Sequence, residues 1–248
     1  MRFTLLTVVA TLFTAAPSFG QAITAQEVLK KAIEAHGGAE VLNKYPAGTS
    51  KMAGKLTISG FEFPFKGTLA FALPGKVRLF IEAEAMGMKM NVTQIINGDK
   101  VVQLENDKPT KLSDTMRQEL QQSPAIQEMS LLTPLLDAKK YTLSLAKDED
   151  VNGKPAHAVM VKRKLGKDVT LFFDAKTGLL VKMSRKALNP MEMEVTEEST
   201  FSDFQKISGM IVPLKLAVDH DGRPFMSVVV SDYTPLEKIA DKEFTVAD

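Results

Sequence analysis

The clearest pattern in the sequence is an alternation of apolar and polar positions between Phe61 and Leu73. Phenylalanine, leucine and one glycine occupy the odd positions, while mostly polar or small residues occupy the even ones. Because successive side chains of a β-strand point to opposite faces of a sheet, this alternation predicts a long strand with one dry face. Similar segments recur as far as Val230, separated by turns such as Asn97-Gly98. The whole pattern predicts about eleven strands joined by short turns, which favours antiparallel pairing.

Two regions break the alternation with apolar residues at helical spacing. The first begins at the capping box Thr24 to Glu27 and ends at Gly37-Gly38. The second is a mid-chain insertion at about 112–136, in which Ser113 can cap the first helical piece. Its apolar face predicts the following lid residues: Met116, Leu120, Ile126, Met129, Leu132 and Leu135. We expect both regions to cover the dry face of the sheet.

These elements predict a mainly β fold of the α+β class. A sheet of many strands with one apolar face twists and curls, and that face has to be covered. We therefore expect a curved, incompletely closed antiparallel sheet with an N-terminal helix and a mid-chain helical lid. Beneath the helices such a sheet leaves either a packed core or a cavity for an apolar ligand.

The apolar positions on the dry face are the candidate ligand-lining residues. Three methionines, Met86, Met88 and Met90, alternate along one segment and permit three interpretations: packing, an adaptable pocket wall, or a thioether site for Cu(I). The segment has no histidine, so no metal ligand and no cofactor are assigned. The predicted lining set is Phe61, Phe63, Phe65, Leu69, Phe71, Leu79, Ile81, Met86, Met88, Met90 and Met193.

The charge balance and the missing residue types exclude several functions. The chain has 31 Lys plus Arg and 30 Asp plus Glu, so it has no basic excess for binding nucleic acid. It contains no cysteine, which removes disulfides, thiolate zinc sites and thiol nucleophiles. The histidines, His36, His157 and His220, lie in no metal-binding motif, and no G-x-S-x-G elbow is present. No catalytic residue is assigned, and the protein is expected not to be an enzyme.

The first 20 residues have the organisation of a secretory signal peptide. Arg2 precedes an apolar stretch, and the small residues Ser18 and Gly20 stand where cleavage before Gln21 requires them. We therefore expect a periplasmic or secreted protein whose mature part, 21–248, forms a single domain. Later apolar runs are interrupted by charged residues or glycine, so no transmembrane segment is expected in the mature chain.

An ordered set of short motifs resembles the LolA-like periplasmic lipoprotein-carrier fold, the group of outer-membrane lipoprotein-sorting proteins. The motifs are Ala35-His36-Gly37-Gly38, Leu73-Pro74-Gly75-Lys76-Val77-Arg78, Ile96-Asn97-Gly98-Asp99-Lys100, Leu171 to Asp174 with Thr177-Gly178-Leu179, and Phe204 to Lys206 with Gly209 to Pro213. The resemblance implies an unclosed sheet with helices as a lid over an apolar cavity for acyl chains. In the carriers a lid arginine helps to hold the closed form, and the insertion here contains Arg117.

Three functions remain open from the sequence. The first is an exported soluble carrier or sensor that binds a lipid or lipoprotein acyl group. The alternative is a non-catalytic interaction or structural module of the cell envelope, with a packed core and a protein partner. An envelope hydrolase is the third. The carrier requires a cavity in its interior, whereas the interaction module has a packed core.

Overall fold

The computed structural model describes residues 23–85, 87–164 and 166–246. The predicted signal peptide and Met86 lie outside the described residues. The helices are α1 (Ala25–Ala35), α2 (Ala39–Lys44), α3 (Asp114–Leu120) and α4 (Ser123–Ser130), with short 3₁₀ turns at Thr133–Leu136 and Asp241–Phe244. None of the helices among the described residues is both long and apolar enough to cross a bilayer.

The described residues form one sheet of 14 strands. In chain order the strands are β1 (Ala47–Ile58), β2 (Phe61–Ala72), β3 (Lys76–Ala85), β4 (Met88–Asn97), β5 (Lys100–Glu105), β6 (Lys108–Pro109), β7 (Tyr141–Leu145), β8 (Glu149–Val151), β9 (Lys154–Arg163), β10 (Val169–Asp174), β11 (Leu180–Leu188), β12 (Glu194–Ile207), β13 (Met210–His220) and β14 (Arg223–Leu236).

The strand order shows an unclosed antiparallel meander. The order is β6-β5-β4-β3-β2-β1-β14-β13-β12-β11-β10-β9-β7, and β8 pairs with β9. Most neighbours in space are neighbours in sequence, as short turns require. The pairing of β1 with β14 joins the first part of the sheet to the last. This confirms the predicted fold class, including the incomplete closure and the two helical regions.

The predicted number of about eleven strands is wrong, because 14 are present. Strands β6 and β8 contain 2 and 3 residues, too few to show alternation. Strand β1 is long, but its inward positions include Gly48 and Gly54 instead of large apolar residues. A methyl group at Gly48 would lie 2.9 Å from the ring of Phe71, and one at Gly54 would overlap the backbone carbonyl group of Ser227 on β14 and lie 3.0 Å from the ring of Phe65. The apolar pattern of β1 is missing because the ring of Phe71 and the backbone of Ser227 leave no room for side chains at these two positions.

Helix α1 packs on the part of the sheet formed by β7 and β9 to β11. Thr24 and Glu27 form the predicted capping box. The apolar face of the helix then buries Val28, Leu29, Ala32 and Ile33 in the main core cluster, together with strand residues such as Val159, Val161, Leu171 and Phe173. Burial of this face, more than helix propensity, stabilises so short a helix.

The mid-chain helices cover the apolar face at two places. Met129, Leu132 and Leu135 are buried in the same core cluster as α1. Met116 and Leu120 of α3 pack instead against a second cluster: Phe71, Val77, Ile96, Val101 and Leu112. The helical segment therefore reaches from one part of the curved sheet to the other, as the term lid implies.

Candidate functional site

A row of three cavities lies between the sheet and the mid-chain helices. The first, here called the apolar cavity, has a volume of about 180 Å³. Its walls come from β1, β2, α4 and β11 to β14, with the following main apolar contacts: Leu69, Phe71, Phe201, Leu216, Val230 and Tyr233. Gln127 and Ser130 of α4 add polar atoms at one side. Such a lining, mostly apolar with few polar groups, is typical of small-molecule sites.

The other two cavities continue the row towards α3. The middle cavity, also about 180 Å³, shares Leu69 and Gln127 with the apolar cavity. The third, here called the charged cavity, has a volume of about 550 Å³ and shares Gln94, Ser123 and Arg185 with the middle one. Adjacent cavities share wall residues, so the three form a continuous row. The lining of this row is apolar at the first cavity and charged at the third.

An ion-pair network forms the wall between the middle and charged cavities. Arg185 of β11 donates from Nη1 to Glu119 Oε1 at 2.6 Å and from Nε to Glu197 Oε1 at 2.8 Å. His220 Nε2 lies 3.4 Å from the other oxygen of Glu197, and its ring stacks on Phe225. The side chains of Arg185 and Glu119 are only 16% and 10% exposed. Since Glu119 belongs to α3, this network ties the lid to the sheet.

Further hydrogen bonds hold the lid on both sides. Arg163 of β9 donates to Gln122 Oε1 at 2.6 Å, and burial lowers the pKa of this guanidinium from its ordinary value. Arg117 of α3 donates to the carbonyl oxygen of Val101 at 3.2 Å. Arg117, the lid arginine noted in the sequence, thus contacts β5. The ion pair between lid and sheet has the opposite arrangement, with the arginine (Arg185) on the sheet and the glutamate (Glu119) on the lid.

His36 lies at the base of the apolar cavity and connects α1 with two strands. Its Nδ1 lies 2.7 Å from the carbonyl oxygen of Ile211, and its Nε2 accepts from the amide of Leu180 at 3.0 Å. These partners require the neutral ring with hydrogen on Nδ1. Burial lowers the pKa of His36 below its ordinary value. Across the cavity, burial raises the pKa of Tyr233 to about 12, so its phenol stays neutral.

The predicted lining residues occupy three kinds of position. Leu69, Phe71 and Leu79 line the apolar or middle cavity. Phe65 is buried without reaching these cavities, and Phe63 and Ile81 are half-buried. The remaining described members are exposed at the hairpin ends: Phe61, Met88, Met90 and Met193. Met86, which is also predicted to line the cavity, lies outside the described residues. As ligand contacts, all of these assignments remain predictions.

The predicted lid residues also divide. Met116 and Leu120 line the charged cavity, and Ile126 lines the middle one. Met129, Leu132 and Leu135 are buried in the core, with exposures of at most 2%. Sequence reasoning missed the cavity walls on β12 to β14 and the network around Arg185. One signal was present: Arg185 stands between Met183 and Ala187 on the apolar face of its strand.

Comparison with known proteins shows similarity in fold. No family model matches the sequence, and no curated protein matches it. A solved LolA superfamily protein from Nitrosomonas europaea is 15% identical, with a TM-score of 0.58 over 90% of this chain and 98% of that one. A DUF1329 family protein from Desulfovibrio piger is 14% identical, with a TM-score of 0.53 over 89% of this chain and 97% of that one.

A third solved structure, from Vibrio parahaemolyticus, is described as an outer membrane lipoprotein-sorting protein domain. It is 10% identical, with a TM-score of 0.54 over 89% of this chain and 95% of that one. At these identities the comparisons concern the fold alone. The resemblance to the LolA-like fold that the sequence motifs indicate is thereby confirmed at the level of structure.

Proposed function

We propose that this protein is a non-catalytic exported carrier or sensor that binds a lipid or a lipoprotein acyl group under its helical lid. The observation that carries the proposal is the row of cavities beneath α3 and α4, which begins with an apolar cavity of about 180 Å³. An acyl chain removed from water into such a space gains about 0.8 kcal/mol per methylene group. Export through residues 1–20 would place this activity in the periplasm or outside the cell.

The fold supports the same proposal. The solved structures that share it include a LolA superfamily protein and a domain described as outer membrane lipoprotein-sorting. An unclosed sheet under a helical lid has an opening through which a long chain can enter without unfolding of the core. Met129, Leu132 and Leu135 anchor the far end of the lid in the core. Helix α3, in contrast, has no buried residue and is tied to the sheet by polar bonds such as that between Arg185 and Glu119. These bonds can break while the packing around α1 remains intact.

The test uses Val230 and Val229, which are adjacent in β14. Val230 lines the apolar cavity, whereas Val229 is 48% exposed and is absent from its lining. Val230→Trp should fill the cavity, and Val229→Trp is the matched control. The probe is 1-monolauroylglycerol below its micelle concentration, measured by isothermal titration calorimetry. We expect saturable binding to the wild type and the control, and affinity about tenfold or more weaker for Val230→Trp, equivalent to about 1.4 kcal/mol or more.

Circular dichroism of each variant checks that the sheet is intact, and Val230→Phe is the milder replacement if the tryptophan variant does not fold. Mass spectrometry of a solvent extract of the purified mature protein provides a second measurement, since a carrier should retain lipid from its host. An empty extract together with no calorimetric binding would reject the carrier function and favour an interaction module with a closed interior.

A further inference from the structure

The charged cavity has the size of a ligand site. Its volume of about 550 Å³ falls in the range of about 300–1,000 Å³ that is usual for small-molecule pockets. It is connected to the apolar cavity through the middle one, by the shared residues Leu69, Gln127, Gln94 and Arg185. If an acyl chain occupies the apolar end, as proposed above, the polar head group of the same molecule would reach the charged end.

The charged cavity is predominantly acidic. Among the described residues, its lining contains four carboxylates, Glu105, Glu119, Glu192 and Glu197, and two permanent cations, Lys111 and Arg185. The full chain carries a net charge of only +1, so the acidic character is local to this cavity. Glu119 and Glu197 are mostly buried, so salt screens their charge less than it screens the charge of the exposed Glu105 and Glu192.

Arg185 is the more buried of the two permanent cations, and two of its three donor nitrogens already bind carboxylates. Nη1 donates to Glu119 and Nε donates to Glu197. These two carboxylates outnumber the single guanidinium, so the trio itself carries one negative charge. An incoming phosphate or carboxylate would have to displace a glutamate that is mostly buried, leaving that glutamate without its partner, which is costly.

The other two carboxylates are held by neutral donors. Glu192 accepts from the hydroxyl of Ser113 at 2.8 Å. Glu105 accepts from Gln103 Nε2 at 3.1 Å, and Gln103 in turn accepts from Gln94 Nε2 at 2.9 Å. A hydroxyl or amide bond leaves the charge of a carboxylate uncompensated, so both residues remain strong acceptors at the cavity wall.

We infer that the cavity selects amphiphiles whose head group donates hydrogen bonds and is cationic or neutral, and that it disfavours phosphate- or carboxylate-bearing lipids. This inference rests on the proposed function, because it concerns the head of the molecule whose acyl chain occupies the apolar cavity. The cavity itself provides the site, and its carboxylates determine which head group fits. Like charges brought next to each other weaken binding, while an ammonium group finds acceptors already positioned.

The test compares three probes with the same lauryl chain and different heads: dodecylammonium, 1-monolauroylglycerol and laurate. Each is titrated into the mature protein by calorimetry near neutral pH, at low salt and below its micelle concentration. We expect dodecylammonium to bind about tenfold or more tightly than laurate, with the glycerol ester between them. Because the net charge of the protein is close to zero, general attraction cannot produce this order. Added salt should reduce the difference.

Two charge-removing variants locate the effect. Glu192→Gln removes one charge from the cavity and retains an amide oxygen that can accept from Ser113. Glu194→Gln removes the same charge two residues away, where the carboxylate pairs with Lys167 and does not line the cavity. We expect the preference for ammonium over laurate to shrink severalfold in Glu192→Gln and to stay unchanged in Glu194→Gln.

The possible outcomes separate the two proposals. If laurate binds as tightly as dodecylammonium or more tightly, the head-group inference is overturned while the acyl-binding function stands. A preference that Glu192→Gln and Glu194→Gln reduce equally would also overturn it, because the selectivity would then not arise in the cavity. If none of the three probes binds, both the inference and the proposed function are rejected.

Discussion

The two ends of the sheet, here called its packed half and its open half and separated by β12 to β14, carry the same alternating pattern but are covered differently. In the packed half, β7 to β11, inward side chains such as Leu171 and Phe173 are at most 1% exposed beneath α1 and the 3₁₀ turn that follows α4. In the open half, β1 to β6, exposure changes along a single strand. Phe61 at one end of β2 is 70% exposed, whereas Phe65 and Phe71 are 3% and 1% exposed.

The difference shows what alternation can and cannot predict. A period of 2 identifies which side chains share a face, because the backbone pleat determines it. It contains no information about which stretch of that face a helix will cover. The phenylalanines and the leucine at the odd positions of β2 are therefore all predicted as lining, yet only Leu69 and Phe71 reach the three cavities. The cover depends on where α3 and α4 lie, which is a tertiary property.

The largest contrast should come from the same substitution made once in each half. Phe173→Ala removes a ring from the main core and should lower the free energy of unfolding by about 3–5 kcal/mol, because it leaves a cavity. Phe61→Ala changes an exposed hairpin end and should alter it by less than about 0.5 kcal/mol. Urea denaturation followed by circular dichroism measures both. Similar losses at the two positions would mean that the exposed end of β2 is covered in solution.

A smaller loss of unfolding free energy is expected when the buried histidine that joins α1 to the packed half, His36, is replaced. His36→Ala leaves the amide of Leu180 and the carbonyl of Ile211 without partners, which should cost about 1–3 kcal/mol. The control is His157→Ala on β9, whose ring pairs with a half-exposed Asp148 and should cost less than about 1 kcal/mol. Equal losses of unfolding free energy in the two variants would show that the buried hydrogen bonds of His36 stabilise the fold no more than the exposed pair of His157 does.

The same histidine makes the packed half sensitive to acid. Because burial lowers the pKa of His36, the unfolded chain takes up a proton at a higher pH than the folded one does. The stabilisation is complete above about 6.5, the ordinary pKa of histidine, and is lost as the pH falls from there through the lowered folded-state value. Urea midpoints measured down to pH 5 should fall in the wild type and fall less in His36→Ala.

Much of the fold could be predicted from the sequence because its signals are local. The capping box at Thr24, the long alternation of β2 and the helical spacing of Met116 and Leu120 each depend on residues close in sequence. The second helical piece is shorter than predicted, because α4 ends at Ser130 and Leu132 has a positive φ before a 3₁₀ turn. Strand β1 is not predicted from the sequence, because the contacts that explain its residues lie on other strands. Gly48 is required by the ring of Phe71 on β2, and Gly54 by the backbone of Ser227 on β14.

The candidate site was harder to predict for a similar reason. Its walls combine β2 with β12 to β14, which are more than a hundred residues apart in the chain and meet only through the pairing of β1 with β14. The charged network joins Glu119 of the lid to Arg185 and Glu197 of two adjacent strands. A charged residue such as Glu197 is ordinarily placed in water, so its sequence position alone does not indicate that it faces the interior. Only the folded arrangement provides the partner that allows it to point inward.

The smallest effects should come from the two helix caps, one over each half. Thr24 accepts from the amide of Glu27 at the start of α1, and Ser113 accepts from the amide of Met116 at the start of α3. Replacing either residue by alanine should cost about 1 kcal/mol. Amide hydrogen exchange then distinguishes the halves, because local opening exposes only the strands beneath the loosened helix. Thr24→Ala should speed exchange in β9 and β10, and Ser113→Ala in β4 and β5. If either substitution accelerated exchange in both halves equally, the sheet would open as one cooperative unit, and the lid could not move while the packed half stays closed.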